Sequence, residues 1–254
     1  MSVSLDDPRL AAFRNLNARS TGREESDDTF VAEGSLIVRR LLESSYRVRT
    51  IVVDEGRDVS VLGTIPPSVD LITLSREEIA TLAGFSFHRG YLASADRPTF
   101  ESATSVDWNS SGFSLGLVGI SDMENVGSML RSAAAFGVRR ILLDHRTVAP
   151  LSRRSLRVSM GAALGMEYLR LDRVAEGIEE LDHLGVVTLA ATLSEDAVPI
   201  DDVQTKGRPT VLFVGNEARG LSKRVQSSAT HRVQIPMHRE AMESLVDSLN
   251  VSVA

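Results

Sequence analysis

Three short blocks carry residues suited to chemistry. The first holds Asn125, Gly127 and Arg131, the second runs Gly215-Asn216-Glu217-Ala218-Arg219-Gly220, and the third reaches from Pro236-Met237 to Ser248-Leu249-Asn250. Amide, carboxylate, hydroxyl and guanidinium groups gather there beside glycines, whose bare backbone lets a ligand approach closely. Such a set suits the binding of a polar ligand and the orientation of a reacting group. Arg131 is a poor base, because a guanidinium stays protonated at any ordinary pH, but it can stabilise a developing negative charge. Gly127 and Arg131 are four apart in sequence, hence on one helical face, and the missing side chain at 127 leaves room beside the arginine. The plain alternative for Glu217 is a helix cap, and for Ile235 a place in the core.

Several other chemistries lack their signatures. Gly116-Leu117-Val118-Gly119 does not have the G-x-G-x-x-G spacing, and neither a P-loop nor G-x-S-x-G occurs. The five histidines, at 88, 145, 183, 231 and 238, are not paired as metal-binding helices pair them, and the absence of cysteine excludes disulfides and thiolate-bound zinc. No metal is expected.

The elements that must position these blocks alternate. Apolar runs at 115–120, 140–143, 166–171, 186–190, 210–214 and 231–235 read as strands, with helices at 125–136, near 153–164 and at 174–184 between them. Gly137 stands where the first of these helices ends, at the left-handed C′ position. The alternation predicts a mostly parallel α/β sheet covered on both faces, a fold that binds ligands at the strand ends. The N-terminal part reads as a smaller α/β module. An amphipathic helix at 33–42 leads to strands at 48–53 and 71–74, a capping box at Ser75…Glu78 opens a helix to 82, and a strand follows at 91–95. Residues 1–34 read as an arm, mobile in part, with a short helix at 9–16, and 96–111, rich in Ser and Thr, as a linker.

The order G-N-E-x-x-G, I-P-M, S-L-N-V-S-V-A, with Asn125-Val126-Gly127-Ser128-Met129-Leu130-Arg131 upstream, resembles the SpoU (TrmH-like) RNA ribose 2′-O-methyltransferases of the SPOUT superfamily. The likeness covers residues 115–254; over residues 1–100 it is looser. It implies an α/β-knot (deep trefoil) catalytic domain at 113–254, a linker at 101–112, an RNA substrate-binding domain at 1–100, S-adenosylmethionine (AdoMet) as cofactor and a homodimer. By motif, Arg131, Asn125, Glu217, Ser248 and Asn250 are the catalytic candidates. Leu193, Gly215, Asn216, Gly220, Ile235, Met237 and Leu249 are the AdoMet candidates. His88 and Arg89 before Gly90 are candidates for RNA contact, an ordinary polar turn being the alternative. The resemblance implies rRNA ahead of tRNA as substrate; the alternative is a non-catalytic RNA-binding protein that keeps the fold. Two departures stand out, a long loop at 238–247 and an end at Ala254 before the family's customary last helix. Both are expected to affect cofactor contact or pairing.

A net charge of −6 by itself argues against a nucleic-acid binder. Yet Arg139, Arg140, Arg146, Arg153, Arg154 and Arg157 stand against the single acid Asp144, either as a solvated face or, for Arg153, Arg154 and Arg157, as RNA contacts. With 43% hydrophobic residues the chain can build a substantial core. No run approaches the roughly 18 apolar residues of a membrane span, and Asp6, Asp7, Arg9 and Arg14 occupy the place of a signal peptide's apolar block. A cytoplasmic setting is expected.

Overall fold

A computed structural model describes residues 3–17, 28–109, 112–236 and 250–252. The elements begin with β1 (Thr29–Glu33), α1 (Ser35–Leu42), β2 (Val48–Asp54), β3 (Asp70–Leu74), α2 (Arg76–Ala83), β4 (Tyr91–Asp96) and β5 (Glu101–Ser102). They continue through β6 (Phe113–Val118), α3 (Met123–Ala135), β7 (Arg140–Leu143), α4 (Arg153–Val158), β8 (Glu167–Arg170) and α5 (Val174–His183). The last are β9 (Val187–Ala191), β10 (Val198–Pro199), β11 (Thr210–Gly215), α6 (Lys223–Ser228) and β12 (His231–Gln234). No described helix is long and apolar enough to cross a membrane. The chain divides into two units, residues 1–99 with 149–165, and residues 100–148 with 166–254.

The first unit is built on a mixed sheet in the order β1-β4-β2-β3, antiparallel except between β2 and β3. Its core includes Leu10, Phe13, Val52, Leu74, Ile79 and Phe87. The capping box forms as the spacing predicts, Ser75 accepting from the Glu78 N–H at 3.2 Å and Glu78 from the Ser75 N–H at 2.8 Å. Three elements differ from expectation. Residues 29–33, read as part of an arm, form the edge strand β1, hidden from a periodicity argument because its last residue, Glu33, is a carboxylate that is nevertheless buried. Residues 9–16 give instead a short 3-10 helix, Pro8–Phe13, started by Asp7 accepting from the Arg9 N–H at 2.9 Å. The helix expected at 153–164 stops at Val158, since Met160 and Gly161 adopt left-handed φ of 53° and 83° and turn the chain.

The second unit is an eight-stranded sheet in the order β10-β12-β9-β11-β6-β7-β8-β5, parallel at every pair. Residues 101–109 contribute to it: β5 pairs with β8, and the buried Trp108 donates from Nε1 to the Ala103 carbonyl at 2.9 Å. From β6 the chain steps outward to β7 and β8, then returns past β6 to β9 and lays β11 into the place between β6 and β9. Strand order therefore reverses between β6 and β11, the switch point at which open α/β sheets bind ligands. Packing there is close. The ring of Phe213 on β11 fills the space where a side chain at Gly116 on β6 would lie.

Candidate active site

Register alone begins to build the site. Val118 pairs with Gly215 at the ends of β6 and β11, so the next residues, Gly119 and Asn216, leave the sheet side by side. The Asn216 amide donates to the Gly119 carbonyl at 2.9 Å. Its side-chain oxygen accepts from the N–H groups of Ala218 and Arg219 at 3.0 and 3.2 Å, and the Gly220 N–H returns to the Asn216 carbonyl at 2.7 Å. One asparagine thus closes its own turn and fastens it to the neighbouring loop. Two glycines make the turn possible: Gly220 has φ +61°, and a Cβ at Gly215 would run into the backbone of Gly220 and Leu221.

From the other side, α3 starts at Asp122, whose carboxylate accepts from the Glu124 N–H at 2.7 Å. The buried face Val126, Met129, Leu130 and Ala133 holds this helix on the sheet. Its first turn brings Asn125 to the β11 turn, where the Asn125 amide donates to one Glu217 oxygen at 2.8 Å while the Asn216 amide reaches the other at 3.2 Å. The Glu217 carboxylate lies at the start of α3, where the partial positive charge of a helix N-terminus favours an anion. Two blocks 92 residues apart meet in this one cluster.

Arg131, six residues further along α3, is exposed, and its side chain makes no hydrogen bond or ion pair among the described residues. Its guanidinium remains available for a ligand. Gly127 and Arg131 stand four residues apart in α3, Gly127 buried and Arg131 exposed. Asn250 is exposed and accepts from the N–H and hydroxyl of Ser252, both at 2.8 Å. Met237, Ser248, Leu249 and the loop 238–247 lie outside the described residues.

The expected cofactor side occupies the ends of three adjacent strands, β12, β9 and β11. Leu193, beyond β9, is 53% exposed, an apolar side chain in the open. Ile235, beyond β12, is half-buried. Gln226, which no motif pointed to, ties these loops together by donating to the Leu221 carbonyl at 2.7 Å and accepting from the Thr192 hydroxyl at 3.0 Å. Beside Leu193, the Ser194 hydroxyl oxygen is buried without a hydrogen-bond partner among the described residues.

The arginine candidates fall into distinct surroundings. In the second unit, Arg140 pairs with Glu167 at 2.9 Å and stacks on Trp108 at 4.7 Å, while Arg139 and Arg146 are exposed. In the first unit, Arg89, Arg153 and Arg157 converge on Glu33, at 3.1, 3.4 and 3.3 Å. The Glu33 side chain is 4% exposed, against 55% for Arg89, 18% for Arg153 and 23% for Arg157. Arg153 also stacks on Phe85, 4.7 Å from the ring centre. Arg154 is exposed, and so is His88, whose Nε2 lies 3.1 Å from the Ser86 hydroxyl. Sequence spacing could not join Arg89 to Arg153 and Arg157, and the buried Glu33 that gathers them carries no motif.

Residues 112–254, more than half of the chain, match the model of the SpoU rRNA Methylase family. The chain belongs to the SpoU rRNA methylase family. An uncharacterized tRNA/rRNA methyltransferase of Mycobacterium tuberculosis is 31% identical to it over 254 residues, covering 98% of this chain and 86% of the relative. A 23S rRNA (guanosine-2′-O-)-methyltransferase of Acinetobacter baylyi is 28% identical, covering 85% of this chain and 90% of the relative. Among solved structures, an AdoMet-bound rRNA methyltransferase from Sinorhizobium meliloti superposes with a TM-score of 0.82 at 22% identity, over 100% of this chain and 93% of that one. At that identity the likeness speaks for the SpoU fold: an N-terminal mixed-sheet unit followed by a parallel-sheet unit.

Proposed function

We propose that this SpoU family member transfers the methyl group of AdoMet to a ribose 2′-hydroxyl of RNA, rRNA before tRNA. The observation that carries the reading is the meeting of Asn125, Asn216 and Glu217 at the strand-order switch, with the exposed Arg131 on the same helix as Asn125. The family supplies the reaction class. The rRNA preference rests on the Acinetobacter relative.

The residues present suit AdoMet. An adenosyl group needs apolar walls, and Leu193 and Ile235 offer apolar surface at neighbouring strand ends. It also needs polar partners, for which the turn Gly215–Gly220 and the unpartnered Ser194 hydroxyl are suited. Bound AdoMet supplies an electrophilic methyl group. For the rest of the chemistry, the Glu217–Asn125 pair orients the acceptor nucleotide, while Arg131 grips the adjoining phosphate and stabilises the charge that grows on the 2′-oxygen. A guanidinium does this as a fixed cation and does not take the proton, which passes to solvent water as the sulfur–methyl bond breaks and S-adenosylhomocysteine leaves. Met237, Ser248, Leu249 and Asn250 complete the family's site in this reading, within its knotted fold.

The first unit is the RNA-recognition part, residues 1–100 with the arginines of α4 added. Three guanidinium groups on one carboxylate leave a local surplus of positive charge in an acidic protein, and Arg89 commits only Nε to Glu33. A surplus of that kind suits phosphate, with His88 and Arg154 at hand. The transferase part is residues 113–254, joined by 101–112, and the working form is a cytoplasmic homodimer. Calorimetric titration tests the cofactor assignment: AdoMet and S-adenosylhomocysteine bind without added metal, and NAD and ATP do not. Binding of NAD with no response to AdoMet would overturn it.

A further inference from the structure

In the cluster of Asn125, Asn216 and Glu217 the carboxylate is exposed and the two amides are half-buried, and polar side chains in such a setting do not hold still unaided. What steadies it is traced through Gly119, whose carbonyl accepts the Asn216 amide at 2.9 Å. On the opposite side of the same residue, the Gly119 N–H donates to Asp144 Oδ1 at 2.9 Å. Asp144 follows β7 directly and is buried, 8% exposed. That single oxygen also accepts from the Thr147 N–H at 2.9 Å and lies 2.7 Å from the Thr147 hydroxyl. Among the described residues Asp144 has no cationic partner.

Burying a carboxylate without a counter-cation is costly, and stability alone is served better by an apolar residue. A carboxylate oxygen does something an apolar side chain cannot: it collects several N–H and O–H donors at one point. Here the donors come from two different loops. Thr147 extends the clamp, since its Oγ1 accepts from the Ile120 N–H at 3.3 Å, and the Val148 N–H donates to the Ile120 carbonyl at 3.0 Å. The loop between β6 and α3 is thereby fixed at both Gly119 and Ile120, with Gly119 held at φ +68°. A continuous line of hydrogen bonds then runs from Asp144 through Gly119, Asn216 and Glu217 to Asn125.

We propose that Asp144, with Thr147, is a positioning residue for methyl transfer: it fixes Gly119, and through Gly119 it sets the Asn216 amide and the Glu217–Asn125 pair. Asp144 itself touches neither cofactor nor RNA in this account. The inference rests on the methyltransferase reading and adds to it two residues that no motif contains.

The test is a double-mutant cycle on the initial rate of methyl transfer from AdoMet to total RNA of cells lacking the gene. Asp144→Asn keeps the shape and weakens the acceptor, and Thr147→Val removes the hydroxyl without changing the volume. Each lowers the rate roughly 10- to 100-fold, the scale of a small misplacement of reacting groups, while Thr147→Ser restores it. In the Asn216→Ala background, which has already cut the line, Asp144→Asn brings little further loss of rate, although it still lowers the melting temperature. A second readout needs no activity: in the cofactor-free protein, Asp144→Asn shifts the side-chain amide NMR signals of Asn216 and Asn125. Active wild-type protein with multiplicative losses in the cycle, unmoved amide signals, or near-normal rates in both Asp144→Asn and Thr147→Val overturns the inference alone. Wild-type protein that methylates no RNA overturns the functional reading, and the inference with it.

Discussion

The Asn125 amide donates a hydrogen bond of 2.8 Å to the carboxylate of Glu217, which stands 92 positions later in the chain. Asn125 lies in the first turn of α3 and Glu217 in the turn after β11, and Glu217 is exposed, so the bond contributes little to stability. Its value is orientation. Glu217→Ala is accordingly expected to cut methyl transfer about tenfold or more with a nearly unchanged melting temperature, and Asn125→Ala in the Glu217→Ala background to add little. Parallel rate and thermal-melt measurements on the three variants check this; a large fall in melting temperature would mark the pair as structural.

Arg131 separates catalysis from simple RNA binding. Arg131→Ala should leave AdoMet affinity near normal and lower the transfer rate about 10²-fold, as when one preorganised charge is removed from a developing anion. Arg131→Lys sharpens the comparison, because lysine keeps the charge and loses the planar fork that grips phosphate with two bonds. Single-turnover rates for the two variants read the difference. A fully active Arg131→Lys would mean that charge alone suffices.

Gly215→Ala probes the cofactor turn. The added methyl group collides with backbone atoms of Gly220 and Leu221, which cannot swing aside as a side chain can. The turn has to open, the Asn216–Gly220 bond with it. Calorimetry should find AdoMet affinity down by about tenfold or more, corresponding to about 1.4 kcal/mol. Unchanged affinity would place the cofactor elsewhere.

Glu33 and its arginines make a prediction on stability and one on RNA. Glu33→Ala leaves Arg153 and Arg157, both largely buried, without their carboxylate and should destabilise the first unit by about 3 kcal/mol, measured by urea unfolding. Arg89→Ala, at an exposed position, should spare stability and reduce the slope of log affinity against log salt by about 0.7 to 0.9 for the lost phosphate contact. A slope identical to wild type would leave Arg89 as a structural partner of Glu33.

Much of this architecture was legible in the sequence, and the exceptions have physical causes. Apolar runs announced β6, β7, β8, β9, β11 and β12, and Ser75 with Glu78 announced α2, because buried strands and helix caps are local patterns. β1 escaped notice since Glu33 is an acid buried by partners far away in sequence, and α6 because it is six residues long with only Val225 buried. The site divides in the same way. Asn125, Arg131 and Glu217 could be named from motifs, but the meeting of Asn125 with Glu217 depends on β11 lying between β6 and β9, a long-range arrangement that no periodicity encodes. Asp144 was visible only as a lone acid in an arginine-rich stretch. Its bond to Gly119 arises from the register of β6 on β7, while the bond to Thr147, three residues on, closes a turn of its own loop.

The most direct measurement is methyl transfer itself. Protein incubated with AdoMet bearing a labelled methyl group and RNA from cells lacking the gene, followed by digestion to nucleosides and chromatography, is predicted to yield label in a 2′-O-methylated nucleoside, rRNA being the richer source. Label on a base, or none in any RNA from protein that binds AdoMet, would contradict the account.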